Sequence, residues 1–125
     1  MSLMVLVAGP YRSGTGDDPE LIAANVHAME HAALALWQAG HLPVLGEWFA
    51  LPLIASAGSR ARGDAVWDGI FHPVAEKVAA RCDGCLRIGG ASAGADLMVS
   101  LFTANGRPVW HRPEDLPPAA PLIRA

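Results

Sequence analysis

Charge is scarce in this chain. Asp, Glu, Lys and Arg together make up 17% of its 125 residues, against a hydrophobic share of 52%. A surface so sparing in charge is expected to bury part of itself against other subunits, which predicts a homo-oligomer. A basic surplus is also missing. The formal net charge is -3, so there is no broad positive field to gather the phosphates of a duplex, and no nucleic-acid partner is expected; a small anionic ligand remains compatible. No apolar run approaches the ~20 residues of a membrane span. The opening stretch Met1 to Ala8 is too short and uncharged for a signal peptide, so no membrane partner and a cytoplasmic location are expected. Cysteine is nearly absent. Cys82 and Cys85 form a single C-x-x-C, which cannot close a four-ligand zinc site and lacks the Trp-Cys or Cys-Pro context of thioredoxin-like motifs. Two half-buried structural thiols are expected, with no metal and no resident cofactor.

What is present is the alternation of an α/β domain. Residues 1–111 suffice for one apolar core, and 112–125 form a tail with four prolines that cannot extend a sheet and is expected to wrap the surface or a neighbouring subunit. Leu3 to Ala8 is continuously apolar and ends at Gly9-Pro10, the pattern of a central strand buried on both faces. A helix is predicted from Asp18, with Pro19 in its first turn, to Gly40, its core stripe being Ile22, Val26, Met29, Ala33 and Leu36. A short strand at His41 to Leu45 and a helix from about Glu47 to Ala57 follow. Ala57 to Gly63 reads as an exposed connection, and Asp64 to Arg81 as an amphipathic helix with Val66, Ile70, Val74 and Val78 inward. Asp83 to Ile88, Ala95 to Asn105 and Pro108 to Trp110 complete a βαβ unit. The expected fold is therefore a Rossmann-like open parallel sheet of about four to five strands with helices on both faces.

In such sheets ligands lie beyond the carboxyl ends of the strands, where loops converge and helix amino termini point. Three loops qualify: Gly9 to Gly16, Gly46 to Trp48, and Gly89 to Ala95. The last is built of small residues, with Gly90, Ser92, Gly94 and Ala95 able to bring backbone amides and a hydroxyl to an anion, or to form a plain turn capped by Ser92. It carries no lysine and matches neither a Walker A nor a dinucleotide fingerprint. Tyr11 and Trp48 offer aromatic faces for stacking or for packing, and Arg12 offers a bidentate donor or a solvated charge. Glu47 faces the crevice or solvent. The H-x-x-E-H spelling at His27 to His31 falls on the polar side of its helix without a third ligand, and is read as a solvated or intersubunit face rather than a zinc site.

Gly9-Pro10-Tyr11 after the first strand, Asp83 opening a later one, and Ser92-Ala93-Gly94-Ala95 followed by Gly106-Arg107-Pro108-Val109 occur in an order and spacing that resembles the nucleoside 2-deoxyribosyltransferase family and its small relatives. The resemblance spans nearly the whole chain. It implies a Rossmann-like sheet, an oligomer with shared sites, and a nucleoside, nucleotide or sugar-phosphate ligand. It also implies a glutamate nucleophile on the helix after the serine and glycine loop, assisted by an aspartate that protonates the departing base. Here the sequence departs from the pattern. Met98, eight residues before Gly106, stands in the glutamate's place, and a thioether cannot act as a covalent carboxylate. Asp96 lies about 200° from it around the helix axis, so it faces elsewhere, and a role in stabilising the helix start is the better account of it. Glu47 and Asp96 are the candidate catalytic carboxylates that remain. The alternatives are an N-glycosidic transferase or hydrolase of weak or altered activity, a non-catalytic nucleotide or sugar-phosphate binding module, and an oligomeric structural protein.

Overall fold

A computed structural model of the chain describes residues 2–58 and 65–117. The first strand, β1 (Met4–Ala8), has its last four residues buried, as a strand covered on both faces requires. Helix α1 (Pro19–Gln38) follows, its start fixed by Asp18, whose carboxylate accepts from the Glu20 N–H, and by Pro19 in the first turn. Ile22, Met29, Ala33 and Leu36 are buried along it, so the expected stripe holds, with Val26 half-buried on its flank. Strand β2 (Leu42–Val44) leads into α2 (Gly46–Ser56), and α3 (Ala65–Ala79) precedes β3 (Gly84–Arg87). Helix α4 (Ala93–Ala104) and β4 (Val109–Trp110) complete the βαβ unit, followed by a short 3-10 turn at Pro113–Asp115.

The four strands are all parallel, in the order β2-β1-β3-β4. Helices cover both faces. Helix α1 packs over Val5, Val7, Leu45 and Leu86, while α3 and α4 pack over Leu6, Ala8, Val44 and Cys85 on the other side. The chain therefore turns to opposite faces after β1 and after β3, although these strands are neighbours. That divergence opens a crevice between their carboxyl ends, the topological switch point where open parallel sheets hold ligands.

Local chemistry explains how the pieces register. The Asp83 carboxylate accepts from the Met4 N–H at 2.8 Å, pinning the start of β3 to β1. The Arg107 guanidinium donates to the carbonyls of Ala79, Ala80 and Cys82, capping the end of α3 and tying it to the chain entering β4. His41 is fully buried. Its Nδ1 accepts from the Leu3 N–H at 3.1 Å, and its Nε2 lies 3.0 Å from the Pro117 carbonyl, so the first part of the tail is clipped to the sheet, with Leu116 buried in the α1-side core.

Three expectations change. On α3 the buried stripe is Trp67, Ala75 and Ala79, with Ile70, Val74 and Val78 only half-buried and Val66 exposed. The inward face is rotated because α2 packs against this helix beside the sheet, and the Trp67 ring joins Ala50 and Ile54 of α2. Helix α4 begins at Ala93 rather than Ala95, because Ser92 caps it from just before the first turn. Cys82 and Cys85 are both free and fully buried rather than half-buried. Burial pushes their thiols up to about 11 and about 12, which leaves little thiolate for redox chemistry. Most of the expected connection, residues 59–63, lies outside the described residues, as does the tail beyond Pro117. No helix among the described residues is long and apolar enough to cross a membrane, and no cluster of three metal-ligating side chains occurs among them.

Candidate functional site

The crevice at the switch point holds a cavity of about 210 Å³. Its floor is the end of β1, from Leu6 to Gly9, and its walls come from five sources: the loop after β1, Met29 of α1, the amino end of α2, one face of α3, and the first two turns of α4. This volume suits a ring-sized ligand rather than a dinucleotide.

The loop after β1 supplies Tyr11, Arg12 and Ser13. Its path is tight, with left-handed backbone at Gly14, Gly16 and Asp17, and Thr15 stitches it by donating its hydroxyl to the Arg12 carbonyl at 2.6 Å. The Arg12 guanidinium lies at the cavity rim, 3.3 Å from the Asp17 carboxylate. The Ser13 hydroxyl reaches across to the Ser92 hydroxyl at 3.2 Å. Ser92 in turn accepts from the Ala95 N–H at 3.2 Å, so one side chain both caps α4 and meets the facing loop.

The serine and glycine loop is held from behind by Arg87. This half-buried side chain donates to the Ile88 and Gly90 carbonyls and pairs with Asp96 at 3.3 Å. The predicted loop residues are thereby sorted. Ser92, Gly94 and Ala95 line the cavity, whereas Gly90 is exposed and serves as a carbonyl acceptor for Arg87. Gly9 also lines it; Pro10 instead packs on Gly89, whose positive φ of 77° and lack of a Cβ allow the two loops to touch.

The carboxylates separate as sharply. Asp96 is 71% exposed and engaged with Arg87 outside the cavity, which follows from its angular offset from Met98, a cavity residue. Glu47 is 7% exposed and lines the cavity from the first turn of α2. Of the two placements open to it, crevice or solvent, Glu47 takes the crevice. Glu47 Oε1 has no hydrogen-bond partner. Burial raises this carboxyl above the usual carboxylate range; the backbone N–H of residue 47 opposes the shift, and the negative charge of Glu30 adds to it. Trp48, one residue on, points outward at 46% exposure and is not part of the cavity, because successive helical residues diverge by about 100°.

Helix α3 contributes what the sequence reading missed. Trp67 and Phe71, four residues apart, stack at 5.3 Å, and Tyr11 stacks on both at 6.2 and 5.9 Å. The three rings form one aromatic wall beside the cavity. Asp68 and His72, also four apart, stand at its exposed rim. The detectable signal was the i, i+4 aromatic pair, which a stripe drawn through the aliphatic residues passes over. Ser13 and Met29 complete the set not foreseen. A scan against protein-family models finds none that matches the chain, and a search of curated proteins finds no match.

Proposed function

We propose that this cavity binds a nucleoside or nucleoside monophosphate, and that the protein acts primarily as a binding module of nucleoside 2-deoxyribosyltransferase-like character. One observation carries this reading: the three-ring wall of Tyr11, Trp67 and Phe71 lies in the same crevice as the Ser13 and Ser92 hydroxyls and the opening turn of α4. An aromatic face suits a base, and hydroxyls beside a helix amino terminus suit a sugar or phosphate. Met98 lines the cavity, and the resemblance assigns the nucleophile to its position, so covalent glycosyl transfer is expected to be lost. In a thermal-shift panel, nucleosides or their monophosphates should raise the melting temperature, since a ligand that binds only the folded state stabilises it. A response to ribose phosphate and inorganic phosphate alone, with none to nucleosides, would reject the base-binding part.

Glu47 favours a second reading, hydrolysis of an N-glycosidic bond with a relocated acid. A buried carboxyl that keeps its proton can deliver it to a departing base, but it is a poor nucleophile in that form. Base release from deoxynucleosides and their monophosphates that is brisk in the native chain and abolished in Glu47→Gln would make this reading the primary one.

A further inference from the structure

Among the described residues, one buried side-chain atom lacks a hydrogen-bond partner: Glu47 Oε1, in the cavity wall. No ion pair among those residues includes Glu47 either. The charges that face it are mostly of its own sign. Helix α1 brings the negative Glu30, and α3 brings Asp68 at the rim, beside His72. The first loop brings the Tyr11 ring and Arg12, the one Arg or Lys in the lining, whose charge is offset by Asp17 at 3.3 Å. Helix α4 brings the apolar Met98.

Placement joins these acids to the aromatic wall. Glu47 follows Gly46, which packs against Ala75 of α3 so closely that a Cβ on it would lie 3.4 Å from the Ala75 Cβ. Ala75 continues the i, i+4 line of Trp67 and Phe71, so the carboxyl and the three rings share one side of the cavity, with the Ser13 and Ser92 hydroxyls on the α4 side. A carboxyl pairs with donors and acceptors alike once it holds a proton, so hydrogen-bond pattern selects nothing here. Charge does. The acids attract a cation by their charge, and the ring faces attract one by their quadrupole. Glu47 also sits in the first turn of α2, where the helix dipole favours the negative form.

Resting on the nucleoside reading above, we propose that this side of the cavity selects a nucleoside whose base carries a fixed positive charge, an N-glycosylated pyridinium or an N-alkylated purine. The ring stacks on the wall of Tyr11, Trp67 and Phe71 with its charge against the Glu47 carboxylate, and the sugar turns to the Ser13 and Ser92 side. A neutral ring of the same shape stacks as well but leaves the buried acid uncompensated. Burial favours the protonated carboxyl in the free protein, and the cationic ring draws that proton off to solvent as it binds.

Calorimetric titration of the whole protein with nicotinamide riboside against benzamide riboside tests this, since a positive ring nitrogen in the first is a neutral carbon in the second. The cation should bind on the order of thirtyfold more tightly, of which the rings alone supply roughly threefold. Glu47→Gln keeps the size and the hydrogen-bonding groups but cannot ionise, so it should cut the preference to the part the rings supply. In the native chain the preference should grow as pH rises through the raised Glu47 value, because below it the carboxyl must first give up its proton. Glu30, Asp68 and His72 act in the same sense, and what pH dependence remains in Glu47→Gln belongs to them. Equal affinity for the two ribosides, or a preference that Glu47→Gln leaves unchanged, overturns the proposal while leaving the nucleoside site standing. No binding of either riboside, nor of adenosine or cytidine, overturns both.

Discussion

On the α4 side of the crevice the polar groups partner one another. Ser13 meets Ser92, Ser92 caps α4, and Arg87 holds the loop carbonyls and Asp96. On the α2 and α3 side the buried contacts are apolar and aromatic, and the one buried acid there, Glu47, has an oxygen unpaired. The first wall is complete by itself. The second is held by packing and leaves a buried carboxyl oxygen without a protein partner. On the proposed reading, the first wall sets the shape of the site and the second offers the polar contact to the ligand.

The largest expected effect comes from breaking the finished wall. Gly89→Val would place a Cβ 2.6 Å from the Pro10 ring at a φ of 77°. Left-handed strain and overpacking together should lower stability by about 3 kcal/mol, measured by urea unfolding. An effect within experimental error would show that the contact between the two loops does not shape the crevice.

The unfinished wall should respond with the opposite sign. Glu47→Met removes a buried, unsatisfied carboxyl and should stabilise the free protein by about 1–3 kcal/mol. The gain should depend on pH. The folded value of Glu47 lies above its ordinary 4.5, so the native chain keeps its full stability below the ordinary value and loses some as pH rises through the folded one. Melting curves for both proteins should therefore diverge toward alkaline pH. Parallel curves would mean that Glu47 is not desolvated in solution.

Asp96 sharpens the contrast from outside. Its carboxylate is 71% exposed in its pair with Arg87, so Asp96→Asn should change stability by roughly 0.5 kcal/mol or less and leave nucleoside affinity unaltered. A marked loss of affinity would bring Asp96 into the site after all.

The finished wall was also the legible one. Its glycine and serine loop, the cap at Ser92 and the outward offset of Asp96 follow from short-range rules of turns and helices, which a single sequence displays. The parallel sheet was legible for a similar reason, since Leu3 to Ala8 is apolar on both faces. The other wall depends on how α2 and α3 pack against each other, which neither helix encodes alone. Val66 fits an aliphatic stripe, yet the inward turn of Trp67 toward Ala50 and Ile54 sets the rotation of α3. Glu47 is a single acid at a strand end, and nothing local distinguishes an exposed position from one roofed by another helix. The same uncertainty of rotation left Trp48 in the expected crevice, although its neighbour is the residue that enters it.

The central claim, that the crevice at the switch point holds a nucleoside-type ligand between these two walls, is tested most directly by calorimetric titration with a nucleoside monophosphate. The comparison is between the native chain and the Ser92→Ala, Gly94→Val double variant. Gly94 lines the cavity and, its own helix backbone aside, nothing lies within 4 Å of where its Cβ would be, so the added side chain sits at the cavity without clashing with the rest of the fold. Saturable binding to the native chain that is lost in a variant still melting cooperatively is the predicted result. Unchanged affinity in that variant would contradict the claim.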